Sequence, residues 1–367
     1  MKQPSNKILL ISPQHWGVMH VTKHHYAIEL SKLGFTVFFL EPTEATWNFH
    51  QSSFNVTSSG IERLFILNQK INIPYNLKFH NKDLYDWFIK RHIKKLEKEI
   101  GPFDIVWSFD LTNAMPLKYF SNKIKKIFFA ADWPSNEQAV LAADGADVIV
   151  SVAQEILDFY KRFQGVELKM VPHGGAQCFF DAAAKPYSKS DQQIRVGMSG
   201  NFLRPDIDRS TLLKVIKSHP ELVFECFGSY QFQHSNLGGA SDTETQAFIT
   251  ELLAKENVIM HGMLTPNQLA LELRRMDIFL ICYDVAKDQS KGTNYHKVME
   301  YLVYSKPIVT NFVSSYTHLP DRIFMPTTTE NTELPNLFEN TLKKLPMELE
   351  RFEVKGYGEV LNQIIDF

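Results

Sequence analysis

The apolar positions of this chain fall into short, near-continuous runs separated by amphipathic stretches. Lys7–Ser12, Thr36–Glu41, Asp104–Ser108, Lys126–Ala130 and Asp147–Ser151 are rich in Ile, Val, Leu and Phe. Such runs predict strands buried on both faces of a parallel sheet. Between the first two, Val21–Leu33 has helical spacing and stops at Gly34, a helix C-terminal signal. A short strand is expected at Lys169–Val171, with His173-Gly174-Gly175 as a tight turn after it. The polar, small-residue stretch Asp181–Gln193 then interrupts the pattern as a linker. It restarts with predicted strands at Ile194–Ser199, Val223–Gly228, Val258–Gly262, Ile278–Cys282 and Pro307–Thr310. Helices fit Arg209–Ser218, Pro266–Arg275, Asn294–Tyr304 and Tyr357–Phe367, and Ser229–Thr245 reads as a surface loop. The alternation predicts two α/β doubly wound domains, whose ligands bind at the carboxyl ends of the strands. The expected division is 1–180, a linker at 181–193, a second domain at 194–345, and a terminal segment at 346–367.

Composition narrows the class. The chain has 367 residues, enough for two domains, with 44% hydrophobic and 22% charged residues, as in a soluble globular protein. No apolar run approaches the ~20 residues of a membrane span. The opening MKQPSNKILLIS leads straight into a strand without a signal-peptide pattern. Cys178, Cys226 and Cys282 are scattered, which argues against a disulfide framework or zinc site and for a reducing compartment. A cytoplasmic location is expected. The net charge of −2 gives no reason to invoke nucleic acid. Residues 1–180 carry 20 basic against 17 acidic side chains, and residues 181–367 carry 19 against 24. The basic share clusters in Lys82–Lys98, where Trp87, Phe88 and Ile89 lie between the charges. That stretch is either a solvated amphipathic helix, diluted by Glu97 and Glu99, or one that touches an anionic membrane surface from the inner side.

The densest chemistry lies in Lys291–Thr310, KGTNYHKVMEYLVYSKPIVT. It predicts a loop, a helix and a short buried strand. Thr293 or Asn294 is a candidate N-cap. Lys297 and Glu300 share a helix face, with His296 beside Glu300, while Val298, Met299, Leu302 and Val303 form an apolar face. A helix start carrying a Lys and a His suits phosphate. A Glu one turn further in suits hydroxyls attached to that phosphate, such as those of a ribose.

TNYHKVMEYLVYSKPIV resembles the nucleotide-sugar-binding helix of GT-B glycosyltransferases, especially family 4. Three other segments resemble that family in the same order. They are KILLISPQHWGVMHVTKHHYAIELSKLGFTVFFLEP at the opening, VPHGGAQCFF closing the first domain, and IRVGMSGNF opening the second. The resemblance implies two Rossmann-like domains facing across a cleft, with the last helix crossing back to the first domain. It implies transfer of a sugar from a nucleotide diphosphate-sugar to a hydroxyl of a saccharide, lipid-linked or other acceptor. No metal or other cofactor is expected. One departure stands out: the family often has a second Glu, with seven residues between it and the one matched by Glu300, that contacts the donor sugar. Here that position is Gly292.

The resemblance puts Gly17, in the first loop, near the donor diphosphate, and Gly262 near the nucleobase. Gly200 and Arg204 follow the first strand of the second domain, where Arg204 offers paired donors to a diphosphate. Lys297 would stabilise the departing diphosphate, with Thr293, Asn294 and His296 at the same helix start, and Glu300 would hold the ribose. Asp132, at the end of the strand KKIFFA, is a candidate general base if the reaction inverts, or else a helix cap. Asp110 is the weaker alternative base. His15 and His20 stand in the first loop, whose spacing matches neither G-x-G-x-x-G nor a Walker motif. Two other functions fit the same residues: a nucleotide-sugar epimerase, and a noncatalytic nucleotide-sugar-binding or assembly subunit, which Gly292 favours.

Overall fold

The computed structural model describes residues 6–43, 53–71, 77–347 and 349–365. The chain groups into two compact units. One comprises Met1–Trp16, Lys23–Pro172 and Leu361–Phe367; the other comprises Gly17–Thr22 and His173–Val360.

The first unit is built on strands β1 (Lys7–Ile11), β2 (Thr36–Leu40), β3 (Ser53–Ser58), β4 (Leu64–Lys70), β5 (Ile105–Ser108), β6 (Lys125–Ala130), β7 (Val148–Ser151) and β8 (Glu167–Met170). Their order is β3-β4-β2-β1-β5-β6-β7-β8. Every pair is parallel except the β3–β4 hairpin. The central strands β1, β2, β5, β6 and β7 read as near-continuous apolar runs because both faces are covered. On one face Leu9 and Ile11 join Tyr85, Ile89, Ile93 and Leu96 of the Lys82–Glu99 helix in one cluster. Elsewhere in the unit Tyr26, from the Thr22–Lys32 helix, packs on Trp107 with ring centroids 4.9 Å apart. Asn81 caps the Lys82–Glu99 helix by accepting from the Leu84 amide.

The second unit carries β9 (Arg195–Ser199), β10 (Val223–Phe227), β11 (Val258–Gly262), β12 (Ile278–Ile281), β13 (Ile308–Thr310) and β14 (Ile323–Phe324). They form one parallel sheet in the order β11-β10-β9-β12-β13-β14. Both sheets therefore reverse direction beside their first strand, between β1 and β5 and between β9 and β12. Crevices for ligands open at such points.

The expected helix starts at Arg209 and Pro266 hold. Asp208 caps Arg209–Ser218, and Thr265 with Gln268 makes a capping box ahead of Pro266. Other expectations need correction. Asp132 does not cap the helix at Glu137; Asn136 does, by accepting from Ala139. Ser229–Thr245 is not wholly loop, since Asp242 caps a helix at Thr243–Leu253. The Gln177–Ala183 helix runs into the first three residues of the expected linker. The last helix covers Tyr357–Ile364; Asp366 and Phe367, the end of its expected span, lie outside the described residues.

Candidate functional site

In the second unit the switch point is closed by the helix His296–Leu302, which grips the end of β9. Lys297 and Tyr301, four residues apart on one helix face, both reach Ser199. The Lys297 ammonium donates to the Ser199 carbonyl at 2.6 Å, and the Ser199 amide donates to the Tyr301 hydroxyl at 2.7 Å. Tyr301 also stacks flat on Phe279 of β12, with centroids 4.0 Å apart. The helix was expected to show one polar and one apolar face. Instead Lys297 through Leu302 are all buried, because the helix lies in the crevice.

Lys297 makes a second bond, donating to the hydroxyl of Tyr283 at 2.6 Å. Tyr283 follows β12 and faces Gly200, which follows β9. Gly200 has φ +142, and a side chain there would put its Cβ 2.5 Å from the Lys297 Nζ. Glycine is thus required both by backbone conformation and by the ammonium beside it. Ser199, Gly200, Asn201, Tyr283 and Lys297 line a pocket of about 320 Å3, part of it open to solvent.

Arg204 stands at the same edge. Its guanidinium packs on the Tyr283 ring, 4.7 Å from the centroid. Its Nε donates to Asp206 at 2.8 Å, and its Nη2 bonds both Asp206 and Asp288. Burial alone would lower its pKa, but Tyr283, Asp206 and Asp288 outweigh that and raise it. The Nη1 group is the donor end not used among the described residues. Asp288, fully buried, also accepts from the Ser290 hydroxyl at 2.5 Å, the Gly292 amide at 3.0 Å and the Tyr295 hydroxyl at 2.9 Å.

Glu300 is 6% exposed and accepts no hydrogen bond among the described residues. Burial pushes its carboxyl up to about 8, and the charge of Lys297 only partly opposes this. The two side chains do not form an ion pair within 4.0 Å, so the surface salt bridge that the spacing allows is absent. A buried, unpartnered carboxyl is costly unless a ligand supplies the missing donors.

The remaining expected residues spread around this centre. Thr293 and Asn294 do not cap the helix, which has Tyr295 at the N-cap and no capping side chain. Their side chains are used elsewhere: Thr293 donates to the Ser290 carbonyl at 2.8 Å, and Asn294 accepts from Tyr316 at 2.5 Å. The ring of His296 lies 6.1 Å from that of His173. His173 is buried beside the Thr22 hydroxyl, and burial lowers its pKa to about 3. Gly262 ends β11, and its carbonyl accepts from the Gly228 amide at 2.8 Å. Gly17 groups with the second unit and packs against Asn236, which bonds both the amide and the carbonyl of Met19. Gly292 has φ +66, and a Cβ there would lie 2.7 Å from the Phe312 carbonyl. The backbone at this position excludes the glutamate found in the resembling family.

In the first unit Asp110 follows β5 and Asp132 follows β6. Asp110 is buried and uses both carboxyl oxygens on the amides of Thr112 and Ala114, at 2.8 and 2.9 Å. Asp132 is half-buried. Lys23, at the start of the helix after β1, faces both carboxylates; burial lowers its pKa to about 8, and Asp132 and Asp110 oppose that. His15 pairs with Glu41 at 3.2 Å, and the His20 ring lies 3.1 Å from the Gly17 carbonyl. Tyr283, Asp288 and Lys23 were missed by sequence reasoning. Tyr283 and Asp288 had a positional signal, since both follow a predicted strand; Lys23 had none.

No protein-family model matches the sequence, and no curated protein matches it. Solved structures do match in fold. Sucrose-phosphate synthase from Thermosynechococcus elongatus aligns over 92% of this chain and 90% of its own, with 14% identity and a TM-score of 0.62. An alpha,alpha-trehalose-phosphate synthase (UDP-forming) from Burkholderia xenovorans, in complex with glucose-6-phosphate, aligns over 97% and 96%, with 11% identity and a TM-score of 0.61. The fold is GT-B. A glycosyltransferase from Rickettsia africae ESF-5 is similar over 99% of this chain and 95% of its own, with 13% identity and a TM-score of 0.59. At these identities the likeness carries the GT-B fold and leaves the chemistry to the residues.

Proposed function

We propose that this protein is a glycosyltransferase that binds a nucleotide diphosphate-sugar on its second unit and transfers the sugar to an acceptor hydroxyl. One observation carries the reading. At the β9–β12 switch point a buried ammonium, Lys297, stands at the pocket wall, and a buried carboxyl without protein donors, Glu300, lies one turn further along the same helix. A cation and an acceptor in that order suit a phosphate followed by a ribose. Lys297 and the Nη1 end of Arg204 would meet the charge that builds on the departing diphosphate. Glu300 would accept from the ribose hydroxyls. The GT-B relatives support the same kind of donor, and the trehalose-phosphate synthase complex, with glucose-6-phosphate, supports a sugar acceptor.

The acceptor is proposed to be a saccharide or lipid-linked hydroxyl, with Asp132 as base if the reaction inverts. Asp110 is displaced from that role because its oxygens are occupied by backbone amides. Family 4 is the proposed affiliation. The exposed face of the Lys82–Glu99 helix, with Leu84, Trp87 and Arg91, is proposed to meet an anionic membrane surface. A noncatalytic binding subunit remains the second reading, favoured by Gly292 and by the engagement of Arg204 with two aspartates.

The test is calorimetry with UDP, ADP and GDP, followed by turnover of the matching nucleotide sugars. One nucleoside diphosphate should bind, and Lys297→Ala should lower turnover of its sugar by ~10²–10³-fold. Binding without any hydrolysis or transfer would select the second reading. No binding of any of the three would sink both.

A further inference from the structure

We propose that Tyr283 is a positioning residue that sets the two cations of the diphosphate subsite; this rests on the nucleotide-sugar reading above. The residue touches both. Its hydroxyl receives the Lys297 ammonium at 2.6 Å, and its ring face carries the Arg204 guanidinium at 4.7 Å. The Lys297 Nζ is also 4.9 Å from the ring centroid. Two like charges are thereby held against one neutral, polarisable ring at the pocket wall.

The tyrosine itself is fixed. Its amide donates to Asn311 at 3.0 Å, and its carbonyl accepts from Asn331 at 2.8 Å. Its ring meets that of Tyr295 edge-on, with centroids 5.3 Å apart. Tyr295 in turn accepts from Asn311 and donates to Asp288, the carboxylate that holds Arg204. Lys297 has three N–H donors. The Ser199 carbonyl and the Tyr283 hydroxyl take two and direct the third. A long flexible amine is thus converted into a single directed donor, which lowers the ordering cost when an anion binds. Arg204 is oriented by the same ring together with Asp206 and Asp288. Substituting the hydroxyl alone should therefore weaken recognition of the second phosphate while leaving the nucleoside end of the site intact.

The measurement is the ratio of dissociation constants for nucleoside monophosphate and diphosphate, with UMP/UDP, AMP/ADP and GMP/GDP as probes. In the wild type the diphosphate of one base should bind tighter. Tyr283→Phe, which keeps the ring and loses the hydroxyl, should shrink that preference by ~10-fold, the worth of a hydrogen bond to a charged group, with monophosphate affinity unchanged. Lys297→Met should shrink it further, and Tyr283→Phe on that background should change nothing more. Should Tyr283→Phe alone not fold, Lys297→Met against the double variant carries the comparison, since no buried ammonium is left short of a partner. An unchanged preference in Tyr283→Phe, or losses that add in the double variant, overturns the role of Tyr283 while the nucleotide reading stands. Failure of the wild type to prefer any diphosphate would remove the reading itself and this inference with it.

Discussion

The two units repeat one strand order and put different chemistry at the same place in it. At the β9–β12 edge two cationic side chains are tightly bonded: Lys297 to Ser199 and Tyr283, Arg204 to Asp206 and Asp288. At the β1–β5 edge and the neighbouring β6, two carboxylates, Asp110 and Asp132, act on the ammonium of Lys23. The first arrangement suits an anion with several oxygens. The second offers a carboxylate at a strand end, which suits a neutral hydroxyl that must give up a proton. A shared topology supplies two crevices, and the residues after each strand decide what each one takes.

The sharpest way to break that contrast is to neutralise the edge that holds Asp132 and watch the β9–β12 edge. Asp132→Asn keeps the shape and removes the basic carboxylate. If the product is inverted, transfer should fall by ~10²–10⁴-fold, while nucleoside diphosphate affinity stays at the wild-type value. Retention of configuration, read by NMR of the product, would remove the base role whatever the variant does. Inversion with full activity in Asp132→Asn would place the base elsewhere.

A smaller effect isolates the β9–β12 edge through Glu300. Its carboxyl is raised from near 4.5 to about 8 by burial. Below pH ~4.5 the group is protonated in both folded and unfolded chains. Between that pH and about 8 the unfolded chain sheds a proton that the folded chain keeps, so stability falls as pH rises, and then levels off. Glu300→Gln cannot ionise and escapes this loss. The melting temperature of Glu300→Gln minus that of the wild type, both ligand-free, should therefore grow between pH 5 and pH 8, by roughly 5 °C. Nucleotide binding should move the opposite way, because ribose hydroxyls would donate to the ionised carboxylate of the wild type and find a weaker acceptor in Gln. A gap independent of pH would mean that Glu300 is solvated rather than buried and waiting for donors.

How far these edges were legible beforehand follows from range in sequence. Inner strands such as β1 announce themselves because they are covered on both faces, so that Ile8, Leu9 and Leu10 are all fully buried, although the inner strand Leu64–Lys70 was not anticipated. The hairpin strand Ser53–Ser58 was missed because it is an outer strand with mostly exposed polar positions, and carries no apolar run. Lys297 and Glu300 were legible because both belong to one short motif. Their environment was not. Lys297 meets Ser199 across 98 positions, and Arg204 meets Asp288 across 84. Those contacts exist because β9 and β12 are neighbours, which no local pattern records. The capping expectation at Thr293 and Asn294 failed because Ser290, three residues back, and Tyr316, 22 residues on, claim those side chains first.

The smallest expected effect lies away from both edges, on the outer face of the Lys82–Glu99 helix. Its buried side packs Tyr85, Ile89, Ile93 and Leu96 into the first unit. The side left outside carries Leu84, 41% exposed, and Trp87, 51% exposed, with Lys90, Arg91, Lys94 and Lys98 beside them. The Arg91 guanidinium lies over the Trp87 ring at 4.6 Å, so the aromatic and the charge present one surface. Two of the acids that dilute the helix are partly engaged: Glu97 accepts from the Ser121 amide, and Glu99 pairs with Lys95 at 3.6 Å. A basic residue near an anionic leaflet contributes about 1 kcal/mol, so an excess of two predicts binding to phosphatidylglycerol vesicles roughly ten- to thirtyfold tighter than to phosphatidylcholine. At ~1 M salt the screening length falls to ~3 Å, and most of that preference should vanish. Trp87 fluorescence should shift to the blue on binding, and Arg91→Glu with Lys94→Glu should abolish the preference without moving nucleotide affinity. Equal recovery on both vesicles at low salt would make the helix a solvated face only, and would separate membrane contact from the sugar chemistry proposed for the sheet edges.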